Sequence, residues 1–218
     1  MAIKKKHISP RQKMINLMYV VLMAMLALNI SSEVLNGFSI VEESLNRTTA
    51  NSSKENEVLY GNFAEQMKKN PQKVKEWFEK ATAVKRMSDS LYNFAQALKV
   101  QIVREADGKD GNIYNIKSKD NLEAASHVML APGTGQGKKL YDAINNFRER
   151  ILKMVPDQHQ RDIIESNLTT KVPKNANTLG KNWQEYMFED MPVAGAVTLL
   201  SKLQSDVRYA EGEVLHTL

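Results

Sequence analysis

The longest uninterrupted helical pattern in the chain runs from Asn70 to Gly108, with the sequence NPQKVKEWFEKATAVKRMSDSLYNFAQALKVQIVREADG. Asn70 is a favoured N-cap residue, Pro71 suits the first helical position, and Gly108 is typical of a helix end. Between them, apolar side chains recur at helical spacing, at Trp77, Ala81, Val84, Leu91, Phe94, Leu98 and Ile102. A helix of about 35 residues spans roughly 50 Å, which favours an elongated bundle.

The segment before this helix has the same period. Val34, Phe38, Val41 and Leu45 are spaced as one apolar stripe, so we predict a helix that continues outward from the N-terminal segment as a stiff rod. The polar run at residues 46–57 either ends that rod or exposes it to solvent, and the sequence leaves both possibilities open.

Shorter helices are expected in the second half of the chain. We predict a helix capped by Asp120, a loop at Pro132–Gly137, helices at 138–155 and 157–168, and a last helix after Pro192. Trp183, Tyr186 and Phe188 are expected to attach the irregular segment 169–191 to the bundle. The last helix carries the stripe Ala196, Leu200, Leu203, Val207, Ala210 and Val214. No strand pattern of comparable quality is present, so the predicted fold class is all-α.

Composition excludes several classes of function. The chain has 218 residues and no cysteine, which removes disulfides, thiolate nucleophiles and cysteine metal clusters. Its formal net charge of +5 is matched by five basic residues that precede the first acid: Lys4, Lys5, Lys6, Arg11 and Lys13. The rest of the chain is therefore balanced in charge, which argues against a nucleic-acid-binding surface.

The N-terminal segment is predicted to be a membrane anchor. Residues 14–32 contain no charged side chain, and this length matches the hydrocarbon core of a bilayer. Because basic residues precede it and acids follow it, we expect a cytoplasmic N-terminus at 1–13 and a periplasmic helical domain at 33–218. A cleaved signal peptide and a buried core helix are the alternatives. Ser9 is the expected N-cap of this helix, with Pro10 at its first position.

The predicted anchor is richer in polar and flexible groups than a passive span requires. Asn16, Met18, Met23 and Asn29 are candidates for packing against other membrane helices. Arg11 and Tyr19 are eight residues apart, about 12 Å of rise and about 80° of rotation, so they can line one broad side of the helix. The simpler interpretation is that Arg11 reaches phosphate headgroups and Tyr19 lies at the interface.

No catalytic or metal-binding pattern is found. Residues 133–139, GTGQGKK, only superficially resemble a phosphate loop, since Pro132 stands where the first glycine is needed and Lys139 where Ser or Thr binds the metal. The four histidines are scattered and no two are spaced as a zinc-binding pair. We therefore expect no enzyme activity, no cofactor and no metal.

Two sequence blocks carry a family resemblance. Ser9–Tyr19, SPRQKMINLMY, followed by Ala24–Asn29, AMLALN, resembles the N-terminus of the GldM/PorM family, inner-membrane proteins of the type IX secretion and gliding-motility machinery. The resemblance extends through Glu33, Val34 and Leu35 into the helical domain. Since full members carry further β-rich periplasmic domains, the chain is expected to correspond to the anchor and first periplasmic domain.

The resemblance implies a role in a motor driven by the proton motive force. Family anchors are held as a homodimer inside a ring of GldL/PorL-like membrane subunits, and the distal domains meet periplasmic and outer-membrane secretion components. An arginine that pairs with a buried glutamate of the ring, and a tyrosine two turns later, correspond to Arg11 and Tyr19. Alternate pairing of Arg11 with successive glutamates would couple proton passage to rotation.

Two other classes remain open from the residues alone. A single-span periplasmic helical sensor has a similar shape, and would bind a small ligand within its bundle. An anchored enzyme is the weaker alternative, because no set of catalytic residues supports it.

Overall fold

The computed structural model describes residues 9–218, with the side chains of residues 24–28 outside that description. Residues 1–8, and with them most of the predicted cytoplasmic segment 1–13, lie outside the described residues. Eight helices occupy the described range: α1 (Pro10–Leu28), α2 (Ser32–Lys69), α3 (Pro71–Asp107), α4 (Ala124–Leu130), α5 (Gly137–Leu152), α6 (Gln158–Asn167), α7 (Trp183–Phe188) and α8 (Val193–Thr217). No strand is present between residues 9 and 218, so the all-α prediction is confirmed.

Helix α3 begins and ends where the sequence predicts. Pro71 is its first residue and Gly108 closes it with a φ of 89°, a conformation that glycine adopts without strain. Asn70 precedes the helix, but its side chain makes no capping hydrogen bond. Of the predicted stripe, Trp77, near the N-terminal end of α3, is 43% exposed. The other members of the stripe are buried or half-buried.

The polar run 46–57 does not interrupt α2, which continues for 38 residues. Thr49 donates from Oγ1 to the carbonyl of Leu45 at 2.7 Å, and both Thr49 and Asn56 are buried. The run stays helical because its polar side chains bond within the helix or to α8, which packs along α2.

The predicted continuous rod from the anchor into α2 is wrong, because the helix is interrupted at residues 29–31. Asn29 and Ser31 have extended backbone, with ψ of 117° and 148°. Ser31 accepts a hydrogen bond from the N–H of Val34 at 3.3 Å and so caps a new helix. Hydrogen bonds from its own backbone and from Ser31 lower the pKa of the exposed Glu33 in the first turn.

Three long helices form the body of the bundle. Helix α8 packs against both α2 and α3. Hydrogen bonds from Thr198 to Phe38 and from Asn56 to Arg208 show that α2 and α8 run in the same direction, with α3 opposed to both. At about 1.5 Å per residue, α2 and α3 are each roughly 55 Å long, so the bundle is elongated as predicted.

The short helices form a second layer on α3 and α8. The start of α4 differs from the prediction, because its N-cap residue is Glu123 rather than Asp120. Asn121, two residues earlier, accepts from the N–H groups of Glu123 and Ala124, both at 2.9 Å. In the segment 169–191, Trp183 and Phe188 are buried with ring centroids 6.1 Å apart, whereas Tyr186 is 39% exposed. Two of the three aromatic side chains therefore attach this segment to the core.

Within the described residues, none of the helices combines the length and the apolar character that crossing a membrane requires.

Candidate functional site

Helix α1 carries the residues that the sequence singled out. Ser9 caps it by accepting from the N–H of Gln12 at 3.3 Å, and Pro10 is its first residue, as predicted. The Gln12 side chain donates to Asn16 Oδ1 at 3.0 Å. Arg11 and Tyr19 lie on this one helix, so their separation is the helical one of about 12 Å along the axis.

The surface of α1 is apolar but unburied. Every side chain described in it, residues 10–23, is exposed. Met14 is 68% exposed, Met18 70%, Tyr19 62% and Met23 68%. A continuous apolar surface of this kind is typical of contact with protein or lipid, and the other described residues of the chain do not cover it.

Asn29 is the C-cap of α1 and is exposed. It therefore lies in the break between the two helices rather than within a continuous span. The roles predicted for Arg11, Tyr19, Asn16, Met18, Met23 and Asn29 in pairing and packing stay predictions.

A first buried polar cluster joins α2, α3 and α8, and we call it the Lys99 cluster. Its members are Lys99 of α3, Glu42 of α2, and Ser201 and Gln204 of α8. Lys99 Nζ lies 3.3 Å from Glu42 Oε1, 2.5 Å from Ser201 Oγ and 3.1 Å from Gln204 Oε1. Ser201 in turn donates to Glu42 Oε1 at 2.7 Å. One ammonium group thus holds side chains of all three long helices.

Charge and burial are unevenly shared in the Lys99 cluster. The Lys99 side chain is 4% exposed, and that of Glu42 20%. Burial lowers the pKa of Lys99 below its ordinary value, although the carboxylate of Glu42 opposes the change. The Lys99 side chain has almost no access to water within its site, whereas the Glu42 side chain lies near the surface, so we expect loss of Glu42 to cost more than loss of Lys99.

A second buried cluster, which we call the Arg208 cluster, joins the same three helices farther along. Arg208 of α8 contacts Asp89 of α3 at 2.8 Å and Glu211 at 2.7 Å. Tyr60 of α2 donates to Glu211 Oε1 at 2.6 Å, and Asn56 Nδ2 donates to the carbonyl of Arg208 at 3.0 Å. The two clusters are about 21 Å apart along α2, from Glu42 to Asn56, but only about 10 Å apart along α8, from Ser201 to Arg208.

The pKa values of two groups in the Arg208 cluster, Arg208 and Tyr60, are raised. Burial opposes the charge of Arg208, but hydrogen bonds and ion pairs with Glu211 and Asp89 outweigh it and raise the pKa of Arg208. Burial, and then the hydrogen bond to the Glu211 carboxylate, raise the pKa of Tyr60 well above its ordinary value. The guanidinium also lies 4.5 Å from the centroid of the Tyr92 ring.

These clusters specify alignment more than they add stability. Buried ion pairs often cost as much in desolvation as they return, and their best-attested role is to fix register. Among the residues that the structure describes, Glu42 Oε2 and Arg208 Nε are buried without a hydrogen-bond partner, which adds to that cost. Two such clusters at different levels of the bundle oppose both sliding and relative rotation of α2 and α8.

Sequence reasoning missed both clusters. The available signal was the spacing of Gln204, Arg208 and Glu211 at four and three residues, which places three polar side chains on the apolar face of α8. Their partners on α2 and α3 are separated by more than a hundred positions, and periodicity carries no information on such pairs.

The described residues contain no group of three or more His, Asp or Glu side chains arranged to hold a metal ion. His127 lies 2.6 Å from Glu105 as an exposed pair. A phosphate-binding role at residues 133–139 has no support, since Gly135 packs against the backbone of Met129 and Ala131.

Comparison with known protein families gives one result. The family model described as the GldM N-terminal domain matches residues 33–218, which is most of the chain. No curated protein matches the chain at a significant level.

Proposed function

Because the chain belongs to the GldM family, we propose that it is the membrane-anchored shaft component of a motor that powers type IX secretion and gliding. Membership supports a component of the gliding and type IX secretion machinery; the motor role is our proposal. The single observation that carries it is the arrangement of an unburied apolar helix, α1, leading through a short break into α2, which is locked to α8 by two buried polar clusters.

We propose that residues 14–32 cross the inner membrane, with residues 1–13 in the cytoplasm and 33–218 in the periplasm. The charge-free stretch and the basic residues before it support this orientation. The exposed apolar side chains of α1 support it as well, since lipid and membrane helices would cover them.

Arg11 and Tyr19 are proposed to face a ring of GldL/PorL-like subunits, each carrying a buried glutamate. A carboxylate in lipid is costly unless it is paired or protonated. Pairing with Arg11 would hold the glutamate ionised, and protonation of the glutamate would release Arg11. One proton crossing 100 mV releases about 2.3 kcal/mol, and we propose that this free energy drives Arg11 from one glutamate to the next. Asn16, Met18 and Met23 would pack this helix against its neighbours, and Asn29 would contact them from the break that follows the helix.

The bundle is proposed to carry the resulting movement outward. Force that enters α2 at Ser32 must reach α8, which leads on towards the C-terminus. The Lys99 and Arg208 clusters cross-link α2, α3 and α8 at two levels, so that the three helices turn as one body. We further propose that the chain works as a homodimer, with distal domains that contact periplasmic and outer-membrane components.

The test is purification from native membranes, with a tag at the periplasmic end and mild detergent. We expect a small membrane protein with an intramembrane glutamate to copurify, and to be lost or weakened with Arg11→Ala. Lys13→Ala is the matched control, since it removes a nearby basic residue outside the proposed pairing. Recovery of the protein alone, or with signalling components, would contradict the proposal and favour the helical sensor.

A further inference from the structure

A groove between α3 and α5 is not used by the proposed motor function. Its volume is about 520 Å³, and its floor is formed by Met87, Leu91, Phe94 and Phe147. Arg86 of α3 and Arg150 of α5 line its sides. We call this feature the α3–α5 groove. It combines an apolar floor with one exposed guanidinium on each flanking helix.

The positive charge at this groove is unneutralised. Within residues 9–218, neither Arg86 nor Arg150 takes part in an ion pair. Two acids on these helices are engaged elsewhere, Asp89 with Arg208 and Asp142 with Lys138. Glu149, next to Arg150, is exposed and pairs with neither arginine. An anionic partner would therefore meet both guanidinium groups without displacing an existing bond.

Further cations extend the charged surface along α5. Lys139 and Lys153 lie seven residues before and after Asn146, which lines the groove, so helical geometry puts them on the same face. Both are exposed, and in the described part of the chain neither is paired with an acid. Arg150 and these two lysines thus form a basic row of about four helical turns beside the groove.

From this geometry we propose that the α3–α5 groove is a docking site for an acidic, amphipathic segment of a partner protein. Apolar side chains of that segment would cover Met87 and Phe94, which are only partly buried. Its carboxylates would pair with Arg86 and Arg150, and guanidinium groups bind carboxylates in a bidentate manner. A free phosphate would fill little of the volume and leave the apolar floor in water, which disfavours a small anion.

The experiment uses the full chain in detergent and a labelled amphipathic peptide of Glu, Leu and Ala as probe, followed by fluorescence anisotropy. A second peptide, with every Glu replaced by Gln, separates charge from apolar contact. The groove variant is Arg86→Glu with Arg150→Glu. Its matched control, Lys68→Glu with Lys69→Glu, reverses two exposed charges at the end of α2. Circular dichroism confirms that each variant is folded.

We expect the Glu peptide to bind, the groove variant to weaken binding by about tenfold or more, and the control variant to leave it within about twofold. Met87→Gln, which makes the floor polar, should weaken it severalfold. Equal binding of the Gln peptide, or no binding of either peptide, would overturn the proposal. So would tight binding of heparin or anionic vesicles that both charge-reversed variants weaken alike, since that indicates a general polyanion surface.

Discussion

Truncating Glu42 tests the Lys99 cluster most sharply. In Glu42→Ala the ammonium of Lys99, 4% exposed, keeps only the neutral acceptors Ser201 and Gln204. Removing one partner of a buried ion pair costs about 3–5 kcal/mol, and the two remaining acceptors place this variant near 3 kcal/mol. For a chain of this size, that corresponds to a fall in melting temperature of about 6–12 °C.

The reverse truncation should cost less. In Lys99→Met the apolar side chain fits the buried site, and Glu42, 20% exposed, can turn towards water. Its expected cost is about 1–2 kcal/mol. The double variant should be destabilised by less than the two single variants together, with a coupling of about 1–3 kcal/mol.

The assay is thermal and urea unfolding of the full chain, followed by circular dichroism. Asp142→Ala is the control, because it breaks the exposed pair with Lys138, and such pairs contribute at most about 1 kcal/mol. Equal costs for Glu42→Ala and Asp142→Ala, or strictly additive effects in the double variant, would refute the claim that a buried charge holds the three helices together.

Three further predictions concern the same bundle. Burial lowers the pKa of Lys99 below its ordinary value of 10.5, so between that lowered pKa and pH 10.5 the unfolded chain binds more protons than the folded one. Stability should therefore rise with pH across this alkaline interval. Urea titrations should show a smaller rise for Lys99→Met, and equal slopes would contradict this. Gly212→Ala should lower the free energy of unfolding by about 1–3 kcal/mol, because its Cβ would lie 2.8 Å from Asn56 Oδ1. Gly61→Ala, which has open space around it, should raise it by about 0.5–1 kcal/mol. Melting temperatures that shift in the same direction for both variants would be inconsistent with the packing. Tyr60→Phe removes the 2.6 Å hydrogen bond to the buried Glu211 and should cost about 1.5–3 kcal/mol in urea unfolding, and an unchanged midpoint would argue that the hydrogen bond contributes nothing.

Much of the fold follows from local signals in the sequence. Proline and glycine mark both ends of α3, and Asp157 caps α6 by accepting from the N–H of Gln160 at 2.9 Å. The predicted stripe of α8 is buried apart from the half-buried Leu203. These features depend on residues within one or two helical turns of each other, so hydrophobic periodicity and helix-capping residues are enough to predict them.

The rest depended on contacts between distant parts of the chain. The polar run in α2 stays helical since Asn56 bonds to the carbonyl of Arg208, a partner that local pattern does not reveal. The break at residues 29–31 was missed because Ser31 and Ser32 were counted within an apolar span, although Ser31 is a strong N-cap. Both buried clusters are invisible to local pattern because their members lie far apart in the sequence. The roles of Arg11 and Tyr19 come from the family resemblance alone.

The most direct test of the motor proposal is made in cells whose chromosomal copy carries Arg11→Ala, with Lys13→Ala as the matched control. Gliding speed and type IX export are measured together with the amount of the protein in the membrane fraction. We predict that Arg11→Ala abolishes both activities while the protein remains in the membrane at its normal level, and that Lys13→Ala leaves both largely intact. Normal gliding and export with Arg11→Ala would contradict the account.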